Sequence, residues 1–107
     1  MEKKSGNTNR IGIFVFYDPA GWVDRYVETL LADLRKNMDE LVIVSNGAVA
    51  DEERVKLEAY ADRFLVRENI GYDIGAYQEA MLTVGWETIS EYGELVLCND
   101  TVMGPIW

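Results

Sequence analysis

Residues 11–17, IGIFVFY, decide the fold class of this chain. Apart from Gly12, every residue of this run is apolar and either β-branched or aromatic. Such a run is typical of a strand that is buried on both faces, as strands of a parallel sheet are. The sequence DPAG at residues 18–21 ends the strand, because proline and glycine favour turns. Similar short runs at residues 41–45, 63–67 and 95–98 predict three more strands.

Amphipathic segments lie between the predicted strands. From Val23 to Leu34, apolar residues recur at helical spacing, with charged residues on the other side. A second helix is predicted to begin at Asp51, because three consecutive acids suit the positive end of a helix. Residues 76–83 predict a third helix, and residues 86–92 predict a further turn or two.

The alternation of strands and helices predicts an α/β fold. We expect a three-layer α/β/α domain with a mainly parallel four-stranded sheet and right-handed crossovers. Residues 68–75 (ENIGYDIG) are predicted to form a loop, because they contain two glycines and an asparagine. Residues 1–10 are expected to be a flexible leader, and residues 11–107 a single domain.

Composition excludes several classes of function. The chain has 107 residues and a net charge of −9, which argues against nucleic acid and against an anionic membrane surface as partners. It contains no histidine, so catalytic dyads and triads based on histidine are excluded. With a single cysteine, no disulfide can form within the chain. No apolar run approaches the length of a membrane span, and we expect a cytoplasmic protein.

The carboxyl ends of the predicted strands carry the candidate binding residues. In open α/β sheets, ligands bind beyond these ends. The candidate nucleotide-binding residues are Tyr17, Asp18, Asn46, Asn69, Gly71 and Asp73. Loops also favour Asp, Asn and Gly for turn chemistry, which is the alternative explanation for each of them. Neither a P-loop nor a GxGxxG motif is present.

Charge in the last part of the chain suggests a metal ion. Residues 68–107 contain seven acids and no Lys or Arg. A phosphate-bearing ligand near Asp73 and Asp100 would therefore be repelled unless a divalent cation is bound. Mg²⁺ and Mn²⁺ prefer carboxylate oxygens, and Asp100 follows a predicted buried strand. The alternative for Asn99 and Asp100 is a turn at the end of the strand.

Two blocks of sequence resemble the rhamnan synthesis F protein family. They are residues 68–77 (ENIGYDIGAY) and residues 95–106 (LVLCNDTVMGPI), within a resemblance that covers residues 11–106. The resemblance implies a fold similar to the nucleotide-binding half of a GT-A glycosyltransferase. It also implies that Asn99 and Asp100 correspond to the metal-binding D-x-D element, with Asp100 the stronger ligand. The N-x-G-x-D block and the ends of the first two strands would then line the nucleotide pocket.

By this resemblance, the chain is the nucleotide-sugar-binding portion of a rhamnosyltransferase-like enzyme of cell-surface polysaccharide synthesis. Its cofactor would be Mg²⁺ or Mn²⁺, and its partners a nucleoside-diphosphate sugar and a glycan or lipid-linked acceptor. The acceptor would bind elsewhere in a longer protein, peripheral to the inner face of the membrane. The alternatives are a catalytically inactive fragment and a small receiver- or flavodoxin-like binding module, because residues 1–107 offer no evident catalytic base.

Overall fold

The apolar run that opens the domain forms an inner strand of a parallel sheet. The computed structural model describes residues 9–17, 22–67 and 73–99, but not the side chains of Asp73 and Ile74. The elements in chain order are β1 (Arg10–Phe16), α1 (Arg25–Asn37), β2 (Glu40–Asn46), α2 (Asp51–Glu58), β3 (Arg63–Arg67), α3 (Asp73–Val84), α4 (Trp86–Ile89) and β4 (Glu94–Asn99).

The sheet has the strand order β3-β2-β1-β4, and all of its paired strands are parallel. β1 contacts both β2 and β4, which explains why its sequence is apolar almost throughout. Helices cover both faces of the sheet. The predicted α/β class, with a four-stranded parallel sheet flanked by helices, is confirmed.

Side chains of β1 alternate between two hydrophobic cores. Ile11, Ile13 and Val15 pack on the side of α3 and α4, in a cluster that also contains Ala76 and Ala80. Phe14 and Phe16 pack on the opposite side, where Leu31 of α1 and Leu57 of α2 are fully buried. This alternation follows from the period of two residues along a strand.

Helix α1 begins later than the apolar pattern predicts. Val23 is buried, but it precedes the helix, which starts at Arg25. Asp24 is the N-cap residue, and its Oδ1 accepts a hydrogen bond of 2.9 Å from the Val27 N–H. A carboxylate in this position satisfies a backbone donor that the helix leaves unpaired.

The prediction of a loop through residue 75 is wrong at its end. α3 begins at Asp73, so Asp73 and Gly75 belong to the first turn of a helix. Glycine lowers helix propensity by about 1 kcal/mol relative to alanine, which is why the sequence pattern favoured a loop. Packing of the helix on the sheet, with Ala76 fully buried, outweighs this cost.

Ion pairs occupy the amino edge of the sheet, where the strands begin. Asp62 Oδ2 accepts hydrogen bonds from Arg35 Nη1 at 2.5 Å and from the Leu41 N–H at 2.8 Å. Glu40 accepts hydrogen bonds from the Tyr92 hydroxyl at 2.8 Å and from Arg63 at 2.6 Å. The carboxylates of Asp62 and Glu40 therefore connect the ends of neighbouring helices and strands.

In the described ranges, no helix is both long enough and apolar enough to cross a membrane.

Candidate functional site at the carboxyl edge of the sheet

Three of the predicted site residues meet at the carboxyl edge of the sheet. The register pairs Phe16 with Ser45, which places Tyr17 and Asn46 at the ends of adjacent strands. Asn99 ends β4 and pairs with Val15 on the other side of β1. The strand ends thus bring Tyr17, Asn46 and Asn99 to one edge, as the parallel arrangement predicts.

The turn after β2 has a defined geometry. The Ser45 hydroxyl donates a 2.7 Å hydrogen bond to the Gly47 carbonyl oxygen. Gly47 has a φ of +146°, a conformation that residues with a side chain rarely adopt. A Cβ atom at Gly47 would lie 3.5 Å from the ring of Tyr17. The aromatic ring therefore lies directly over this turn and is 41% exposed.

Asn46 is a buried polar residue with a charged partner. It is only 2% exposed, and its Oδ1 accepts a 3.0 Å hydrogen bond from Arg67 Nη1. A hydrogen bond from a charged donor contributes about 1.5–3 kcal/mol, more than a bond between neutral groups. The side-chain amide of Asn46 is therefore held in place by the end of β3.

Arg67 joins the end of the sheet to α3. Its Nε donates a 3.0 Å hydrogen bond to Glu79 Oε1, and its side chain is 15% exposed. A Cβ atom at Gly75 would lie 3.4 Å from Arg67 Nη2, so the guanidinium packs against the first turn of the helix. The guanidinium thus contacts both the end of β2 and α3.

Arg67 was not among the site residues predicted from the sequence. Residues 68–107 contain no cation, but Arg67, the residue just before this segment, lies at the same edge. Its position as the last residue of β3 was the available signal, because the final residues of parallel strands share one edge. β3 and β4 are the outer strands, three strand spacings apart, so Arg67 lies about 14 Å from the end of β4.

Glu53 and Lys56 link α2 to the segment before α1. Glu53 Oε1 accepts a 2.7 Å hydrogen bond from the Val23 N–H, which lowers the pKa of Glu53. Lys56 Nζ donates 3.2 Å hydrogen bonds to Glu53 Oε1 and to the Val23 carbonyl oxygen. These contacts fix Val23, which precedes α1, against α2.

Cys98 and Asn99 are the last two residues of β4, and their side chains differ in environment and chemistry. Asn99 is 8% exposed and places a side-chain amide at the edge. Burial raises the pKa of the Cys98 thiol to about 11, and the side chain packs in the core that contains Phe14. Cys98 is therefore a protonated core residue at neutral pH, which excludes it as a thiolate nucleophile.

The remaining candidates lie outside the described residues. They are Asp18, Asn69, Gly71 and Asp100, together with the side chain of Asp73, whose backbone begins α3. Within the described part of the chain, no group of three acidic or cysteine side chains could hold a metal ion.

The chain is an all-parallel α/β domain with polar residues at the carboxyl edge, and in this class of folds ligands commonly bind beyond that edge. Comparison with known proteins identifies the family. The profile of rhamnan synthesis protein F matches residues 41–107, and the chain belongs to this family. The resemblance predicted from the sequence is thus confirmed, and membership indicates a role connected with rhamnan, and so with polysaccharide, synthesis.

A curated relative extends the similarity to the first half of the chain. It is the uncharacterized protein y4gN of Sinorhizobium fredii, with 33% identity over 96 residues. This similarity covers 90% of the present chain but 24% of the relative, so the chain spans about a quarter of that protein's length. No solved structure matches the chain significantly. The relation to the GT-A fold accordingly stays a prediction.

Proposed function

We propose that this chain is the nucleotide-sugar-binding portion of a glycosyltransferase that acts in the synthesis of a cell-surface polysaccharide. The observation that carries the proposal is the meeting of Tyr17, Asn46 and Asn99 at the carboxyl edge of a parallel sheet. Ligands of open α/β sheets bind at this edge. Membership in the rhamnan synthesis family supplies the connection with sugar polymers.

Each residue at the edge has a chemical role in this proposal. The partly exposed ring of Tyr17 offers a flat surface on which a nucleobase stacks. The amide of Asn46 forms a hydrogen bond with the base or the ribose. Asp18, Asn69, Gly71 and Asp73 complete the proposed pocket from the neighbouring segments.

A divalent cation fits the residues at the end of β4. Mg²⁺ is usually held by one or two carboxylates and by substrate phosphates, so a cage of three acids is not needed. Asp100, with Asn99 as the weaker ligand, would hold Mg²⁺ or Mn²⁺ at this position. When bound, the cation neutralises charge on the departing nucleoside diphosphate. With a net charge of −9, such neutralisation favours the binding of a polyanion.

Titration calorimetry with UDP, GDP and dTDP, and with their sugar conjugates, tests the proposal. We expect at least one to bind in the presence of Mn²⁺, and we expect binding to weaken about tenfold or more when Mn²⁺ is omitted. Asp100→Ala should weaken metal-dependent binding to a similar extent. Asp33→Ala, which removes an exposed acid from α1, is the matched control and should leave binding unchanged.

Three results would count against this assignment. Equal affinity with and without Mn²⁺ would contradict the metal site, as would an unchanged affinity in Asp100→Ala. If none of these nucleotides or sugar conjugates bound under any condition, the nucleotide-sugar proposal itself would be wrong.

A further inference from the structure

The hydrogen bond between Arg67 and Asn46 determines which way a buried amide faces. A guanidinium has only donors, whereas a carboxamide has an acceptor oxygen and a donor nitrogen. Only the oxygen of Asn46 can face Arg67, because two donors would repel each other. The observed contact from Nη1 to Oδ1, 3.0 Å long, has this polarity. The chemistry of the two groups thus fixes the orientation of the amide.

The other end of the amide is a donor at the carboxyl edge. Asn46 is 2% exposed and is the last residue of β2, and its contact with Arg67 through Oδ1 leaves Nδ2 as the end of the amide that donates. A ligand group that binds this end of the amide must supply an acceptor, because the nitrogen of a carboxamide only donates.

Arg67 itself is committed to protein contacts. Its Nε is engaged by Glu79, its Nη1 by Asn46, and its Nη2 packs against the turn that contains Gly75. The carboxylate of Glu79 offsets its charge. Arg67 thus donates hydrogen bonds to Glu79 and to Asn46 from two different nitrogens. Because the guanidinium is planar, these two bonds fix its orientation.

We propose that Arg67 is a positioning residue of the ligand site, which orients the Asn46 amide so that its nitrogen donates to an acceptor oxygen of the nucleoside. This inference rests on the proposed nucleotide site. It adds that the site uses Asn46 only as a donor, so the recognised group is a carbonyl oxygen of the base or a ribose oxygen.

Substitutions at Asn46 show whether its side chain donates a hydrogen bond to the ligand or only stabilises the fold. Asn46→Asp keeps an oxygen for Arg67 and forms an ion pair with it, but it removes the Nδ2 donor. We expect about tenfold weaker binding of the best nucleoside diphosphate from the titrations above, with no loss of thermal stability. Added salt should not restore the affinity, whereas it would restore a loss caused by repulsion between the new carboxylate and the phosphates. A purely structural role for Asn46 would leave the affinity of this folded variant unchanged, and that result would contradict the inference.

A double-mutant cycle tests whether Arg67 acts through Asn46. Arg67→Met and Asn46→Ala should each weaken binding several-fold, and the double variant should bind within about twofold of Asn46→Ala alone. Arg67→Lys, which keeps the charge but lacks the planar fork, should behave like Arg67→Met. Arg63→Met is the matched control, because Arg63 is paired with Glu40 at the other end of β3 and should not affect binding.

Fully additive losses in the double variant would overturn the inference, because Arg67 would then contact the ligand independently. Unchanged affinity in Arg67→Met would overturn it as well. A second measurement does not depend on nucleotide binding: the ¹H–¹⁵N signals of the Asn46 side-chain amide should shift in Arg67→Met and not in Arg63→Met. If the wild-type protein bound no nucleotide, the proposed function would fail, and unchanged amide signals would separately overturn the orienting role of Arg67.

Discussion

At the scale of single residues, the strand ends made part of the site predictable. Tyr17, Asn46 and Asn99 follow or end apolar runs, and parallel pairing brings such positions to one edge whatever the detailed register. Arg67 was not predicted, because its role depends on contacts with Asn46 and Glu79 that come from two other elements. Residue type and position alone do not show which polar groups face each other across a sheet.

Gly47 gives a prediction at this scale. Gly47→Ala places a side chain at a φ of +146° and should lower the free energy of unfolding by about 1–3 kcal/mol, measured by urea denaturation. Because the turn carries Asn46 and lies under the Tyr17 ring, nucleotide affinity should fall too. Gly85→Ala is the control: its φ of +94° predicts a similar loss of stability, but affinity should be retained.

The opposite pattern in this pair would contradict the account of the turn. That pattern would be an undiminished nucleotide affinity in Gly47→Ala, or an equal loss of affinity in Gly85→Ala.

At the scale of elements, the strands were easier to predict than the helix starts. β3 was predicted with its observed bounds, since a short run of apolar residues between two arginines has few alternatives. The start of α3 was missed, because Gly75 argued locally against a helix while the buried Ala76 and Ala80 favour it through packing. Tertiary contacts decide such cases, and they are not visible in a local pattern.

Tyr92, which precedes β4, donates a hydrogen bond to Glu40 at the start of β2. This contact predicts a change in stability at high pH. Burial, and then the hydrogen bond to Glu40, raises the pKa of Tyr92 to about 12. The protonated hydroxyl is the donor, so its stabilising effect is complete below the ordinary pKa of about 10. Between about pH 10 and 12 the unfolded chain loses this proton first, and stability should fall as pH rises.

Absorbance at 295 nm and urea denaturation at several pH values together check this prediction. One of the tyrosines should ionise near pH 12, and Tyr92→Phe should remove both this component and the corresponding fall in stability. Tyr26→Phe is a suitable control, because Tyr26 is 51% exposed on α1. A high-pH component that persists in Tyr92→Phe would show that another group is responsible.

At the scale of the whole molecule, the two edges of the sheet have different chemistry. The amino edge is occupied by ion pairs such as Arg35 with Asp62, and Arg63 with Glu40. Among the described residues, the carboxyl edge carries amides, an aromatic ring and the guanidinium of Arg67, which pairs with Glu79 and Asn46. These groups suit a ligand. The fold class was predictable from apolar runs alone, whereas this difference required the paired side chains.

The most direct test of the central claim locates the ligand on the sheet. ¹H–¹⁵N spectra of the labelled protein should be recorded during addition of the best-binding nucleoside-diphosphate sugar, first with Mg²⁺ and then with traces of paramagnetic Mn²⁺. We predict that the shifted amide signals include Tyr17, Asn46 and Asn99, and that Mn²⁺ broadens the signals near Asn99 most. Signals at the amino edge, such as those of Asp39 and Asp62, should stay in place. Shifts concentrated at the amino edge, or no shifts at the carboxyl edge on saturation, would contradict the account.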